Sequence, residues 1–211
     1  MEAGFHVEHV FSTPVIVDHL PDAESLNAEL ETLILERRAV DPGIQRSNAG
    51  GWHSALDLLH WGGEPARRVA VRTVELADAM TLDTEAAEGE RRGWLLEAWA
   101  NVNESGAGNA PHYHGASYWS AVYYVRAGEG EGEGGELVLH DPRFPYLDMH
   151  APDLRFRDSG GEQLIHTSPR SGMLILFPSW LTHSVAPWRG EGQRISIAIN
   201  LSAAPRAARP G

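Results

Sequence analysis

The sequence predicts a mainly β fold: a jelly roll of two sheets with N-terminal helices packed on one of them. Helical periodicity is confined to residues 22–80, whereas residues 94–201 read as short strands separated by turn signals. Helices first and short antiparallel strands after is the order expected of a double-sheet barrel with helices on one outer face. The chain's 211 residues suffice for a single domain, 1–211, with a full hydrophobic core.

Residues 6–18, rich in Val and Phe, read as one or two short strands. Pro21-Asp22 opens a helix from Ala23 to Arg38, with Leu26, Leu30, Leu33 and Ile34 at helical spacing, which ends before Asp41-Pro42-Gly43. Residues 44–63, with Asn48, Gly50, Gly51, Trp52 and Trp61, read as an ordered loop region. A second helix runs from about Glu64 to Met80, with Val69, Val71, Val74, Leu76 and Ala77 partly buried, and an acidic loop over 82–92 follows. Strands are then expected at 94–102, 117–125 and 136–141, and in the segments QLIHTSP, MLILFPS and RISIAINL. The Glu/Gly-rich run 126–135 reads as a flexible hairpin connection and 143–162 as a long polar loop. There is no internal repeat, and the tail after 201 is expected to fray.

Composition narrows the chemistry. A net charge of −12 opposes phosphate backbones, so nucleic acid is not an expected partner. Any anion that binds needs a local cationic anchor. With 0 cysteines, disulfides, thiolate zinc sites and Cys nucleophiles are excluded. Their absence fits a reducing cytoplasm. No apolar run approaches the roughly 18 residues of a membrane span, and the N-terminus lacks the basic and apolar regions of a signal peptide. The 11 histidines are many for this length, and the question is which of them converge.

Three features carry the chemistry: His112-Tyr113-His114, then His183 in FPSWLTHSVAPW, then Arg194 and Ser196 in QRISIAIN. Side chains at i and i+2 of a strand share a face, so an extended 112–114 lets both imidazoles reach one metal ion. His183, about 70 residues on, would come from another strand. Non-haem iron needs three ligands on one face and open positions opposite, usually two histidines and a carboxylate. His183 is placed near the end of one strand, with the chain turning through Pro187-Trp188-Arg189-Gly190 and returning antiparallel as RISIAINL. Arg194, Ser196 and Ala198 then share a face, while Ile195, Ile197 and Ile199 make the other face apolar. Both faces read as buried, so the guanidinium needs an internal partner. A dicarboxylate that chelates a metal could meet Arg194 bidentately at its far end, with Ser196 adding a hydrogen bond. Tyr124 and Ser120 share a strand face and could touch such a co-substrate. Asn101 and Asn103 could line the site, and Trp52, Trp119 and Trp188 could shape a pocket. The loops 40–63 and 143–162 are expected to shape it too. His140, His150 and His166 show no partner spacing.

These motifs resemble the 2-oxoglutarate/Fe(II) oxygenase superfamily, and more closely a small, mostly uncharacterised family of such oxygenases from bacteria and phages. The resemblance rests on SNAGGWHS (47–54), the HxH pair with SxVYYV (120–125), GELVLHDPR (135–143), and FPSWLTHSV (177–185) with RISIAINL (194–201), and runs from about Phe11 to Leu201. It implies a double-stranded β-helix that uses Fe(II), 2-oxoglutarate and O2, releases succinate and CO2, and by default hydroxylates its substrate. Carried over by position, it implies His112 and His183 as iron ligands, and Arg194 and Ser196, with Tyr124 near them, as the holders of 2-oxoglutarate. His114 departs from the superfamily pattern, which places Asp or Glu there, so the third ligand stays open between His114 and water. An all-histidine site would be one charge more positive than the usual one, and protons should compete with metal below about pH 6.5.

The competing reading is a cupin-type metal protein: a 2-oxoglutarate-independent dioxygenase, an isomerase or a sensor. Gly106, the HxH pair, Gly172, Pro178 and His183 fit much of that pattern, but its glutamate is missing and it gives Arg194 no task. A third reading, an interaction module without metal, leaves the histidine set and the arginine unexplained. The expected partner is a small-molecule or peptide substrate, with a homodimer left open.

Overall fold

The computed structural model describes residues 6, 8, 10–86, 91–128, 134–143, 153–154 and 163–206. Two antiparallel sheets face each other, and the helices cover one of them, as the sequence predicts. A short first strand, β1 (Ile16–His19), leads into α1 (Ala23–Val40). Two-residue strands β2 (Asn48–Ala49) and β3 (Trp52–His53) and a single helical turn α2 (Leu58–Trp61) precede α3 (Gly63–Ala79). The strands that follow are β4 (Trp94–Asn103), β5 (Gly108–His112), β6 (Trp119–Arg126), β7 (Leu137–His140), β8 (Leu164–Thr167), β9 (Met173–Pro178), β10 (His183–Val185) and β11 (Arg194–Ala203). The six-stranded sheet runs β1-β9-β6-β11-β4-β3 and the five-stranded sheet β2-β5-β10-β7-β8.

Period-two alternation sorts side chains between two cores. Ile195, Ile197, Ile199 and Leu201 of β11 and Leu174 and Leu176 of β9 face the helices, which contribute Leu26, Leu30, Ile34, Ala66, Val69 and Ala77. Met173, Ile175 and Phe177 face the other way, between the sheets, with Tyr124, Leu137, Leu139 and Leu181. The Tyr123 hydroxyl donates to Asn27 Oδ1 at 2.6 Å and ties α1 to the sheet.

Several expectations need correction. Among the described residues of 6–18 only Ile16–Asp18 are in a strand, because the segment before them passes through Pro14 and has no partner strand. The region read as a loop over 44–63 holds β2, β3 and α2, whose short runs carry too little periodicity to read. Val71 is exposed, on the outer face of α3. His183 begins a strand rather than ending one, and β10 does not pair with β11. They belong to opposite sheets, because the connection between them crosses the sandwich. The central part of 126–135 and most of 143–162 lie outside the described residues.

Candidate metal centre

His112 ends β5, His114 follows just beyond it, and His183 opens β10, where it pairs with His112 across the five-stranded sheet. The expected extended pair is therefore half strand and half loop. The His114 backbone N–H leaves the sheet and donates to Ser179 O at 2.9 Å, which anchors that loop to the turn before His183. One nitrogen from each ring lies within 4.8 Å of the others, so the three can hold one metal ion. Ring centroids are 5.0 Å apart for His112–His114, 4.3 Å for His112–His183 and 5.2 Å for His114–His183.

Two of the rings are held by the same local device. His112 Nδ1 lies 2.8 Å from Ala110 O, and His183 Nδ1 2.9 Å from Leu181 O. A carbonyl can only accept, so each Nδ1 carries the proton and each Nε2 presents its lone pair, which can go to a metal. Ser47 Oγ stands 3.4 Å from His112 Nε2. Burial, reinforced by the neighbouring His112, pushes the pKa of His183 down to about 3 and that of His114 to about 4. These rings are neutral, metal-ready bases well below the pH near 6.5 at which free histidine would begin to protonate.

One cavity joins the histidines to Arg194. Its lining includes His112, His114, His183, Tyr124, Arg194 and Ser196, with Ser120, Asn101 and Asn200 also facing it. Arg194 is 1% exposed, and among the described residues its Nε and Nη2 have no hydrogen-bond partner, nor has the Tyr124 hydroxyl. Burial pushes the Arg194 pKa down and that of Tyr124 up. Buried donors left unsatisfied are costly, and a guanidinium at a cavity with no carboxylate partner among the described residues fits an anionic ligand. The GGEL segment makes room for this side chain. Gly135, at φ 75°, is so close that an added Cβ would sit 2.9 Å from Arg194 Cδ.

The cavity also corrects the peripheral expectations. Asn103 is buried but does not line it, while Asn101 does. Trp52, Trp119 and Trp188 are packing residues: Trp52 Nε1 donates to Asp41 O, Trp119 Nε1 to Thr81 Oγ1, and Trp188 Nε1 to Gly192 O. The tryptophan at the cavity is Trp99. Trp99 could have been found as the position two before Asn101 on the same strand face, and Asn200 by continuing the alternation from Arg194 through Ser196 and Ala198. Of the two long loops, the first contributes Ser47 and the second lies largely outside the described residues. His140 Nε2 is 3.0 Å from Ser184 Oγ, and His150 is outside the described residues.

Fold and cavity together define a jelly-roll protein in which three converging histidines that could hold a metal ion share a cavity with a buried arginine. Residues 97–200 match the family model described as "Putative 2OG-Fe(II) oxygenase", and that segment carries every cavity residue except Ser47. The matched segment, about half of the chain, carries the pattern of this family of oxidoreductases, whose cofactors are Fe(II), 2-oxoglutarate and O2; the histidine set and the buried arginine fit the first two. No curated protein matches in sequence. Solved structures share the fold at low identity. A prolyl-4-hydroxylase from Pseudomonas putida is 18% identical with a TM-score of 0.64, over 92% of this chain and 95% of that one. HygX from Streptomyces hygroscopicus, solved with nickel and 2-oxoglutarate bound, is 20% identical with a TM-score of 0.57, over 91% and 83%. A 2OG-Fe(II) oxygenase family protein from Burkholderia pseudomallei is 18% identical with a TM-score of 0.59, over 93% and 88%. Among the described residues no helix is long and apolar enough to cross a membrane.

Proposed function

We propose that this protein is a 2-oxoglutarate-dependent dioxygenase that hydroxylates a small-molecule or peptide substrate. One oxygen atom of O2 would enter a substrate C–H bond to give C–OH. The other would enter succinate as 2-oxoglutarate loses CO2. The observation that carries this reading is the buried guanidinium of Arg194, whose Nε and Nη2 have no hydrogen-bond partner among the described residues and which lines the same cavity as the three imidazoles. A cupin-type metal site would leave that arginine without a task.

His112, His183 and His114 would hold Fe(II), which when bound supplies the redox chemistry that activates O2. Arg194 would take the distal carboxylate of 2-oxoglutarate through Nε and Nη2, with the hydroxyls of Ser196 and Tyr124 donating beside it. The carbonyls of Ala110 and Leu181 keep two ring nitrogens aimed inward. Leu137, Val122, Val185 and Phe177 make part of the wall apolar, which would limit water around the bound anion. The absence of cysteine suits a reducing, cytoplasmic setting. HygX has also been solved with hygromycin B bound, and a prolyl hydroxylase from Trichoplax adhaerens in complex with a peptide fragment. A small molecule and a peptide are therefore both bound by proteins of this fold.

The test is anaerobic titration of the metal-free protein with Fe(II) and then 2-oxoglutarate, followed by exposure to O2 with succinate measured. About one Fe(II), a weak visible charge-transfer band with 2-oxoglutarate and slow succinate release are expected. Fe(II) binding with neither a band nor calorimetric heat for 2-oxoglutarate would favour the cupin-type alternative.

A further inference from the structure

The three imidazoles are not held alike. His112 and His183 each have Nδ1 at a backbone carbonyl two residues earlier. For His114 the residue two earlier is His112 itself, and among the described residues its ring makes no hydrogen bond. Apart from the other two imidazoles, the ring contact that bounds it is Trp99, edge to face at 5.9 Å and 63°. Trp99 is in turn stacked on His53, with centroids 5.4 Å apart and ring planes 9° from parallel. His53 is 3% exposed, and its Nδ1 lies 2.6 Å from Ser54 O, so this ring is fixed. The next residue completes the brace: Ser54 Oγ accepts the Ala100 N–H at 3.0 Å, beside Trp99 on β4. SNAGGWHS, whose first residue Ser47 lines the cavity, thus ends at the back of the metal site.

We propose that Trp99, backed by His53, is a positioning residue that sets the ring plane of His114, in place of the hydrogen bond that the other two rings have. The proposal rests on the reading of His114 as a metal ligand. Two packed, nearly parallel rings limit the His114 imidazole to rotamers that keep one nitrogen facing His112 and His183. The role of the SNAGGWHS segment is then to hold the third ligand from behind. Partners that orient a metal ligand without touching the metal typically matter about 10- to 100-fold in metal affinity.

The probe is Co(II) alone, read by calorimetry and by its visible absorption bands, in a double-mutant cycle. His53→Ala should weaken Co(II) binding about tenfold and shift the bands, while His53→Phe, which keeps a flat ring against Trp99, should restore both. In a His114→Ala background, His53→Ala should change neither. Parent-like affinity and bands in His53→Ala, or an equal loss with and without His114, would overturn the positioning role. If His53→Ala does not fold, Trp99→Leu takes its place in the same cycle. A parent protein that binds no Co(II) is a separate outcome: it removes the metal reading, and the positioning role with it.

Discussion

The Arg194 guanidinium lies over the ring of Tyr124, 5.0 Å from its centroid. The cation gains from the face of the ring, but Nε, Nη2 and the Tyr124 hydroxyl remain without hydrogen bonds in the interior. A cation–π contact of this kind is worth about 0.5–2 kcal/mol, less than the desolvation of a charged group. The pair is therefore a poor way to stabilise a fold and a good way to hold an anion ready for binding.

Removal of the guanidinium should act on the co-substrate and not on the metal. A hydrogen bond to a charged group is worth roughly 1.5–3 kcal/mol. Arg194→Ala should therefore weaken 2-oxoglutarate binding by about ten- to a thousandfold, with Fe(II) affinity nearly unchanged. Calorimetry of both ligands decides it, and lost iron with retained 2-oxoglutarate would show that Arg194 has another task.

Gly135 offers an indirect route to the same site. Its φ of 75° disfavours a side chain, and a Cβ would meet Arg194 Cδ at 2.9 Å and Nε at 3.1 Å. Gly135→Ala should destabilise the fold by about 1–3 kcal/mol and weaken 2-oxoglutarate binding while leaving Co(II) affinity alone. Denaturant melts and calorimetry on the same preparation separate the two effects. Unchanged 2-oxoglutarate affinity would mean that the arginine can shift without loss.

Arg194 and Ser196 were legible in the sequence because Ile195, Ile197 and Ile199 alternate with them. Alternation sends 194 and 196 to the opposite face from 195, 197 and 199, and the β11 register with β4 and β6 on either side keeps it regular along the strand. The histidines were legible by type and spacing. His53 was not legible as part of the site, because its contact with Trp99 depends on the pairing of the two-residue strand β3 with β4, Trp52 opposite Val102 and His53 opposite Asn101. A strand that short leaves no period to read, and its register is set by tertiary packing. The swap of β11 to the opposite sheet from β10 escaped for a related reason: a short connection suggests a hairpin, and only the closed sandwich shows that it crosses.

A substitution series decides whether His114 ligates. If it does, His114→Ala should lower Fe(II) affinity substantially, while His114→Asp, which installs the carboxylate usual at such sites, should retain it. A water-filled third position predicts instead that His114→Ala holds iron almost as well as the parent. In a metal-bound structure the ligand reading expects a ring nitrogen at roughly 2.0–2.1 Å from the metal, and one well beyond about 2.5 Å would count directly against it.

Acid should destabilise the metal-free protein earlier than it protonates the site. In the unfolded chain a histidine takes up a proton near pH 6.5, whereas burial holds His114 and His183 unprotonated in the fold down to about 4 and about 3. Between those limits the unfolded state binds more protons than the native state, so stability must fall as pH falls. The contribution of these two rings is fully present above about 6.5 and lost progressively down to about 3–4. Melting temperature should therefore drop more steeply from pH 7 to pH 4.5 for the parent than for His183→Gln, which has no proton to take up at that position. Bound metal should raise the parent's whole curve without changing its slope over that range, because the native rings bind no protons there with or without it. Parallel pH curves for parent and His183→Gln would show that His183 does not have the depressed pKa its burial implies.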